Sequence, residues 1–437
     1  MPRTRTKLPT LASTVGTALE WYDFSLYGTA SALVLPAVFF PTNDPVVATL
    51  SSLATFAIGF FARPVGGVLI GLLGDRLGRR HMLFLTLLLM AASSVLIGVL
   101  PTYAQVGTLA PALLVFLRIL QGLGAGGEYA GAMLLAAEHS GQQARGLNAS
   151  IPSIGNAMGS VVATGIFFLV EAVLPEQAFH TWGWRVPFLL SFVLAIAALL
   201  IRLKVEDSPE FTQAKEKRGI VRAPFRTMFT LSGRRVPLAM LMSIAPNVLS
   251  YLPSVYALTY LASTVGAPAW IGLTGIIIAN MLKLVTIPTA GWLSDKYGGR
   301  RIMIIGSVAG AILFFPFFMM LDTGTPVIVW AALVMIFTLC CDLTLASQAT
   351  MLSSLFHVHV RYTAVTFSRE ITGALVGGTI PFIAAWLTDV GGGTPWLVSL
   401  FCAVMCLVCA TGTYYLPHSR ALEEELAESS AAPARGE

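Results

Sequence analysis

The sequence has little charge. Only 11% of its 437 residues are Asp, Glu, Lys or Arg, whereas 56% are hydrophobic, and the mean hydropathy is +0.76. Soluble domains carry roughly 25% charged residues, so this composition cannot supply a wetted surface for a chain of this length. There is no disulfide framework: Cys340, Cys341, Cys402, Cys406 and Cys409 all lie in apolar runs, where a thiol is small apolar filler. No cysteine is spaced with histidine as a metal ligand, so no metal site is expected. His139, His357 and His359 fall in polar connections. No Ser/His/Asp set or Cys nucleophile is arranged for chemistry, and an enzyme is not expected. Gly122-Leu-Gly124-Ala-Gly126-Gly127 is not a phosphate loop, because no strand precedes it and no Lys-Ser/Thr follows. No large soluble domain interrupts the chain, which argues against a sensor, and no coiled-coil heptads follow the last apolar run.

What the sequence does have is long apolar runs. Twelve are long enough to cross a bilayer, at 14–40, 48–72, 82–100, 109–138, 148–173, 186–203, 237–262, 269–292, 302–321, 327–349, 362–390 and 395–416. The expected fold is an all-α integral membrane protein of twelve transmembrane helices in two six-helix bundles. The expected division is an N-terminal bundle over 1–203, a charged linker over 204–236, a C-terminal bundle over 237–416 and a tail over 417–437. Apart from Arg63, Arg118, Arg185, Lys283 and Arg369, every Lys and Arg falls in the N-terminal segment, the tail or every second loop. Of the loops on the other side, only one carries a basic residue, Arg185. This asymmetry places both termini in the cytoplasm. The net charge of +5 therefore reports topology and contact with anionic lipid, not nucleic acid.

A short polar motif occurs in both halves. Gly71, Asp75, Arg76, Gly78, Arg79 and Arg80 make the first copy. Gly291, Asp295, Gly298 and Arg300 stand 220 positions further on, with Lys296 and Arg301 beside them. A duplicated membrane domain with the same joint in each half is a common architecture of secondary transporters. The joint reads as a gate. Ser294 and Gly299 depart from the first copy, so the first-half gate is expected to dominate.

An ionisable group inside a bilayer costs about 2.5–3.5 kcal/mol on insertion scales and persists when it is paired, hydrated or functional. The candidates are Glu20, Asp23, Arg63, Arg118 and Glu128 in the first half, and Lys283, Asp342, Arg369 and Glu370 in the second. Glu20 and Asp23 are three residues apart and share a helix face. Two carboxylates that close resist joint ionisation, which suits a proton carrier. Asp23, Glu20, Glu128 and Asp342 are the candidate proton-coupling residues. Arg118, Lys283, Arg369 and Glu370, with Tyr27 and Tyr251, are the candidate substrate contacts. The alternatives are internal pairs: Asp23 or Glu20 with Arg118, Lys283 with Asp342, and Arg369 with Glu370. Arg63 reads as structural. Tyr22, Asn156, Asn247, Tyr256, Asn280 and Gln348 are either substrate hydrogen-bonders or helix–helix contacts.

Several of these segments together resemble a known family. Gly16-Thr-Ala-Leu-Glu20-Trp21-Tyr22-Asp23-Phe24, with Tyr27-Gly28, resembles the first-helix signature of the metabolite:proton symporter branch of the major facilitator superfamily. Ala62-Arg63-Pro64, Arg118-Ile-Leu-Gln121-Gly122 with Gly126-Gly127-Glu128, Trp182-Gly183-Trp184-Arg185, Glu206-Asp-Ser-Pro209 and Arg361-Tyr362 resemble its later signatures. The resemblance implies two bundles rocking about a central cavity. Helices 1, 2, 4, 5, 7, 8, 10 and 11 would line it, and helices 3, 6, 9 and 12 would face lipid. It also implies that the joint aspartate meets a helix N-terminus of the other bundle. The implied activity is proton-coupled import of a small carboxylate by a bacterial inner-membrane protein. A zwitterionic solute such as proline or betaine is the first alternative, and proton-driven efflux the second. The implied partners are a small-molecule substrate, protons and lipid, acting on a monomer. The proton gradient drives transport, and no cofactor is needed.

Overall fold

The computed structural model describes residues 7–77, 79–126, 147, 150, 152–203, 228–230, 232–233, 235–356 and 360–416. Twelve long helical segments order it. They are α1 (Lys7–Leu33), α2 (Pro45–Leu77), α3 (Arg79–Val99), α4 (Leu109–Ala125), α5 (Pro152–Val173) and α6 (Arg185–Leu203) in the first half. The second half contributes α7 (Arg235–Val265), α8 (Ala269–Tyr297), α9 (Gly299–Leu321), α10 (Pro326–Leu352), α11 (Arg361–Val390) and α12 (Trp396–Tyr414). Helices satisfy their own backbone, which is why apolar runs of this length adopt no other form in lipid. The first predicted span, 14–40, is not one helix. It breaks at Val34, just before Pro36, and a short helix, Leu35–Phe39, follows. Proline lacks the N–H that would continue the ladder and disfavours helix in the residue before it.

The helices form two bundles. In the first, α1 packs on α5 and α6, α2 on α4, and α3 on α4 and α6. In the second, α9 packs on α10 and α12, α8 on α10, and α7 on α11 and α12. Among the described residues, the bundles meet chiefly where α1 packs on α7, α2 on α11, and α5 on α8. The outward sides of α3, α6, α9 and α12 are apolar and exposed, as at Leu88, Phe192, Ile312 and Leu400, so these helices present the lipid-facing surface. Contact at α2 and α4 is close enough to require glycine. A Cβ added to Gly122 would lie 2.1 Å from the Gly59 carbonyl oxygen. Small residues of this kind let membrane helices pack backbone to backbone.

Several regular helices are interrupted next to the polar residues, α11 among them at Gly373–Gly378, three residues after Glu370. A wide turn at Leu252–Tyr256 interrupts α7 one residue after Tyr251, and another at Phe337–Cys341 interrupts α10 just before Asp342. Wide turns of this type re-aim side chains and recur at functional positions. Apart from 228–230, 232–233 and 235–236, the linker over 204–236 lies outside the described residues, as do Gly78, Glu128 and the tail beyond Leu416.

Candidate functional site

A small central cavity lies between the bundles. Trp21, Phe24 and Ser25 from α1, and Asn156, Ser160 and Thr164 from α5, line one side. Ser250, Tyr251 and Ser254 from α7, Asn280 and Lys283 from α8, and Phe337 from α10 line the other. Among the described residues Lys283 is the one charged side chain on its wall. The Lys283 ammonium lies over the Phe337 ring, 4.2 Å from its centroid. A cation–π contact of that kind is worth about 2 kcal/mol or more when desolvated, and it leaves the hydrogen-bonding capacity of the ammonium intact.

A second cavity adjoins the first, toward the end of the molecule where α1 begins. Trp21, Phe60, Arg63, Asn247, Tyr251, Arg369, Glu370 and Gly373 line it. Trp21 and Tyr251 belong to both walls. Their rings stack across the bundle interface with centroids 5.7 Å apart and planes 13° from parallel. The stack therefore partitions the path between the two cavities.

Below that partition, Arg63 of α2 bridges three helices. It donates to Glu20 Oε1 of α1 at 2.6 Å and to Glu370 Oε2 of α11 at 2.7 Å. The second contact joins the two bundles. Arg63 also lies over the Phe24 ring, 4.7 Å from its centroid. Glu370 thus pairs across the bundles with Arg63. Glu20 and Asp23 also part company despite their spacing. Glu20 turns toward α2, while Asp23 turns into the first bundle and accepts a hydrogen bond from Ser191 Oγ of α6 at 3.0 Å.

Arg118 is fully buried inside the first bundle and lines neither cavity. It donates to Gln121 Oε1 and to the Phe56 carbonyl of α2, and its guanidinium sits 3.8 Å from the centroid of the Tyr27 ring. Tyr27 is likewise buried away from the cavities, its hydroxyl bonded to Thr55. Tyr22, Tyr256 and Gln348 use their polar atoms on Pro187, Thr388 and Ser243 respectively. Of the amide and phenol candidates, Asn156, Tyr251 and Asn280 reach the central cavity, and Asn247 and Tyr251 reach the second.

Asp342 lies behind the cavity wall between α10 and α8, fully buried. One of its oxygens accepts a hydrogen bond from Thr286 Oγ1, three residues along α8 from Lys283. Lys283 is within electrostatic reach of both Asp342 and Cys341. Among the described residues, no group of three His, Cys, Asp or Glu side chains is placed to hold a metal ion.

At the joint of the second half, Asp295 Oδ2 accepts a hydrogen bond at 3.0 Å from the backbone N–H of Leu147, which precedes α5. This is a contact between bundles. Gly298 takes φ +91° where α8 gives way to α9, a conformation open to glycine. In the first copy Gly71, Asp75, Arg76, Arg79 and Arg80 are placed on α2 and α3 by their backbone alone, and Gly78 lies outside the described residues. The cross-bundle contact described at the joints is that of Asp295; the side chains of the first copy lie outside the described residues.

Sequence reasoning passed over Thr286 and Phe337. Thr286 stands at the helical i+3 position from Lys283, a signal present in the chain. Phe337 carries no such signal, because its role depends on how α10 packs against α8.

The comparisons with known proteins agree with this geometry. The chain is 40% identical over 417 residues to an inner membrane metabolite transport protein, YhjE, of Escherichia coli (strain K12), covering 93% of this chain and 94% of that one. This chain belongs to the major facilitator superfamily. The superfamily's own model matches residues 281–435, and the model described as "Sugar (and other) transporter" matches residues 9–223. The shikimate transporter of Escherichia coli (strain K12) is 35% identical over 93% of each chain. A proline/betaine transporter of the same strain is 35% identical over 86% of this chain and 77% of its own length. A solved structure of the proton:xylose symporter XylE, bound to 6-bromo-6-deoxy-D-glucose, superposes with a TM-score of 0.74 at 19% identity. It covers 96% of this chain and 98% of that one, and so shares the fold. The protein is a transporter with multiple membrane-spanning helices, not an enzyme.

Proposed function

We propose that the protein imports a small organic anion together with protons, by alternating access, across a bacterial inner membrane with both termini in the cytoplasm. The observation that carries this reading is Lys283: a buried ammonium on the wall of a cavity whose other described lining residues are uncharged, mostly aromatic rings, hydroxyls and amides with Val255 and Ile276. Ser250, Ser254, Asn156 and Asn280 supply further donors and acceptors for substrate hydroxyls or carboxylate. A buried cation is costly unless something compensates it, and a carboxylate seated there would do so. The reading calls for no cofactor, since the proton gradient supplies the work.

One observation favours a zwitterionic solute instead. Trp21, Phe24, Phe56, Tyr251 and Phe337 surround the same cavity, and aromatic faces accept quaternary ammonium groups. The test is uptake into proteoliposomes under an inward proton gradient, with labelled carboxylates, proline and glycine betaine offered in parallel. Accumulation of a carboxylate that is lost in Lys283→Gln supports the anion reading. Accumulation of proline or betaine alone overturns it in favour of the zwitterion.

A further inference from the structure

We propose that Lys283 and Asp342 work as a counter-ion exchange that couples proton to substrate: the substrate carboxylate takes over the Lys283 ammonium, and Asp342, left without its cation, takes up the proton. This inference rests on the anion reading above and assigns its coupling step to the second bundle.

The geometry supplies each part. Lys283 lines the cavity, and Asp342 lies behind it, hydrogen-bonded to Thr286 one turn along α8 and within the field of the ammonium though not in salt-bridge contact with it. Asp342 does not line either cavity, so substrate does not compete for it directly. One Asp342 oxygen is held by Thr286 Oγ1, and Oδ1 is buried with no hydrogen-bond partner. A buried carboxylate oxygen in that position is tolerated while a cation is near and is expensive once that cation is engaged elsewhere. Among the described residues, the charged and titratable groups acting on Asp342 are Lys283 from α8 and its own neighbours Cys340 and Cys341. From the other elements packed here, α7 brings the Ser250 hydroxyl to Cys341, and α9 meets α10 at Gly306. Among the described residues of these elements, no further charge is seen to act on Asp342.

The step balances in charge and atoms. With the cavity empty, one ammonium faces one carboxylate. A substrate carboxylate adds one negative charge, and a proton from the proton-rich side forms an O–H bond at Asp342 and removes it. When substrate leaves on the other side, Lys283 returns to Asp342 and the O–H proton departs. One proton moves for each negative charge seated on Lys283. Of the α1 acids, Glu20 holds Arg63. Asp23 accepts from Ser191 and, like Asp342, keeps one oxygen buried without a hydrogen-bond partner, but the cation near it is Arg118, which lines neither cavity and so is not drawn away by substrate.

The experiment uses the full chain in vesicles containing a pH-sensitive dye, with shikimate, 2-oxoglutarate and other labelled small carboxylates as probes. Exchange without a gradient and substrate-induced proton entry are read separately. Asp342→Asn is expected to exchange the carboxylate while its proton entry falls by about tenfold or more, with the pH dependence of probe binding flattened. Lys283→Gln is expected to lose exchange, and Lys283→Arg to retain part of it. Thr286→Val, nearly isosteric and away from both cavities, is expected to shift the pH at which proton entry is half-maximal. If Lys283→Gln exchanges carboxylates like the wild type, the anion reading itself falls, and the coupling with it. If Lys283→Gln is dead but Asp342→Asn still brings in protons with substrate, the anion reading stands and the coupling assignment is overturned. An unshifted Thr286→Val profile overturns it as well, even where Asp342→Asn does not fold.

Discussion

At the scale of single residues, Arg63 holds two carboxylates from helices that share no local sequence. Removing it takes from the buried Glu20 and Glu370 the cation they share, and breaking a buried pair in this way costs about 3–5 kcal/mol. Arg63→Met should therefore lower the apparent Tm in detergent markedly, and the triple variant Glu20→Gln, Arg63→Met, Glu370→Gln should recover part of the loss. Arg63→Lys should not rescue it fully, because an ammonium is a point donor whereas the guanidinium reaches the two acids through separate nitrogens. A triple variant no more stable than the single one would show that packing against Phe24, not charge, sets the cost. The presence of these charges was legible in the sequence, since ionisable residues in apolar runs stand out. Their pairing was not. Arg63 and Glu370 are 307 positions apart, and nothing in one strand of text ties a residue of α2 to one of α11. Spacing also misled at Glu20 and Asp23. A shared helix face permits contact, but partners on α2 and α6 drew the two carboxylates apart. Lys283 was legible to the same degree: its burial was evident, while its place on the cavity wall with Asp342 behind it required the packing of α8 on α10.

At the scale of helices, the twelve spans and their order follow from hydropathy, because a bilayer leaves so few alternatives to a long apolar helix. The interruptions were less visible. Pro36 marks the break after α1 and Pro253 stands inside the wide turn of α7, whereas the wide turn of α10 contains no proline to announce it. Close packing can be tested by glycine. Gly122→Val would drive a side chain into the Gly59 carbonyl and force α4 off α2. Gly165 of α5 provides the control, since a Cβ there meets nothing within 4 Å. Gly122→Val is expected to cut the yield of monodisperse protein by about tenfold or more, while Gly165→Val, with no clash to relieve, stays close to wild type. Equal yields from the two variants would mean that α2 and α4 can separate without loss of the bundle.

At the scale of the whole molecule, the two bundles touch on both flanks of the central cavity. Toward the end where α1 begins, the contacts are Arg63 with Glu370 and Asp295 with Leu147. Toward the opposite end α1 meets α7 near Gly28 and Val255. Alternating access requires each set to part in turn. The second set can be locked covalently. A Cβ built on Gly28 would lie 4.0 Å from the Val255 Cβ, inside the range of about 3.5–4.5 Å that a disulfide spans. The five native cysteines are all buried in the second bundle, away from this contact. Gly28→Cys combined with Val255→Cys should therefore cross-link under mild oxidation. Gly28→Cys also brings a side chain close to Val255, so each single variant serves as a control for packing. The cross-linked protein is expected to lose gradient-driven uptake and to regain it on reduction, whereas the single variants respond to neither treatment. Uptake that persists in fully cross-linked protein would mean that α1 and α7 stay together at this level throughout the cycle. The opening on that side would then have to be made by α2 against α11 or α5 against α8.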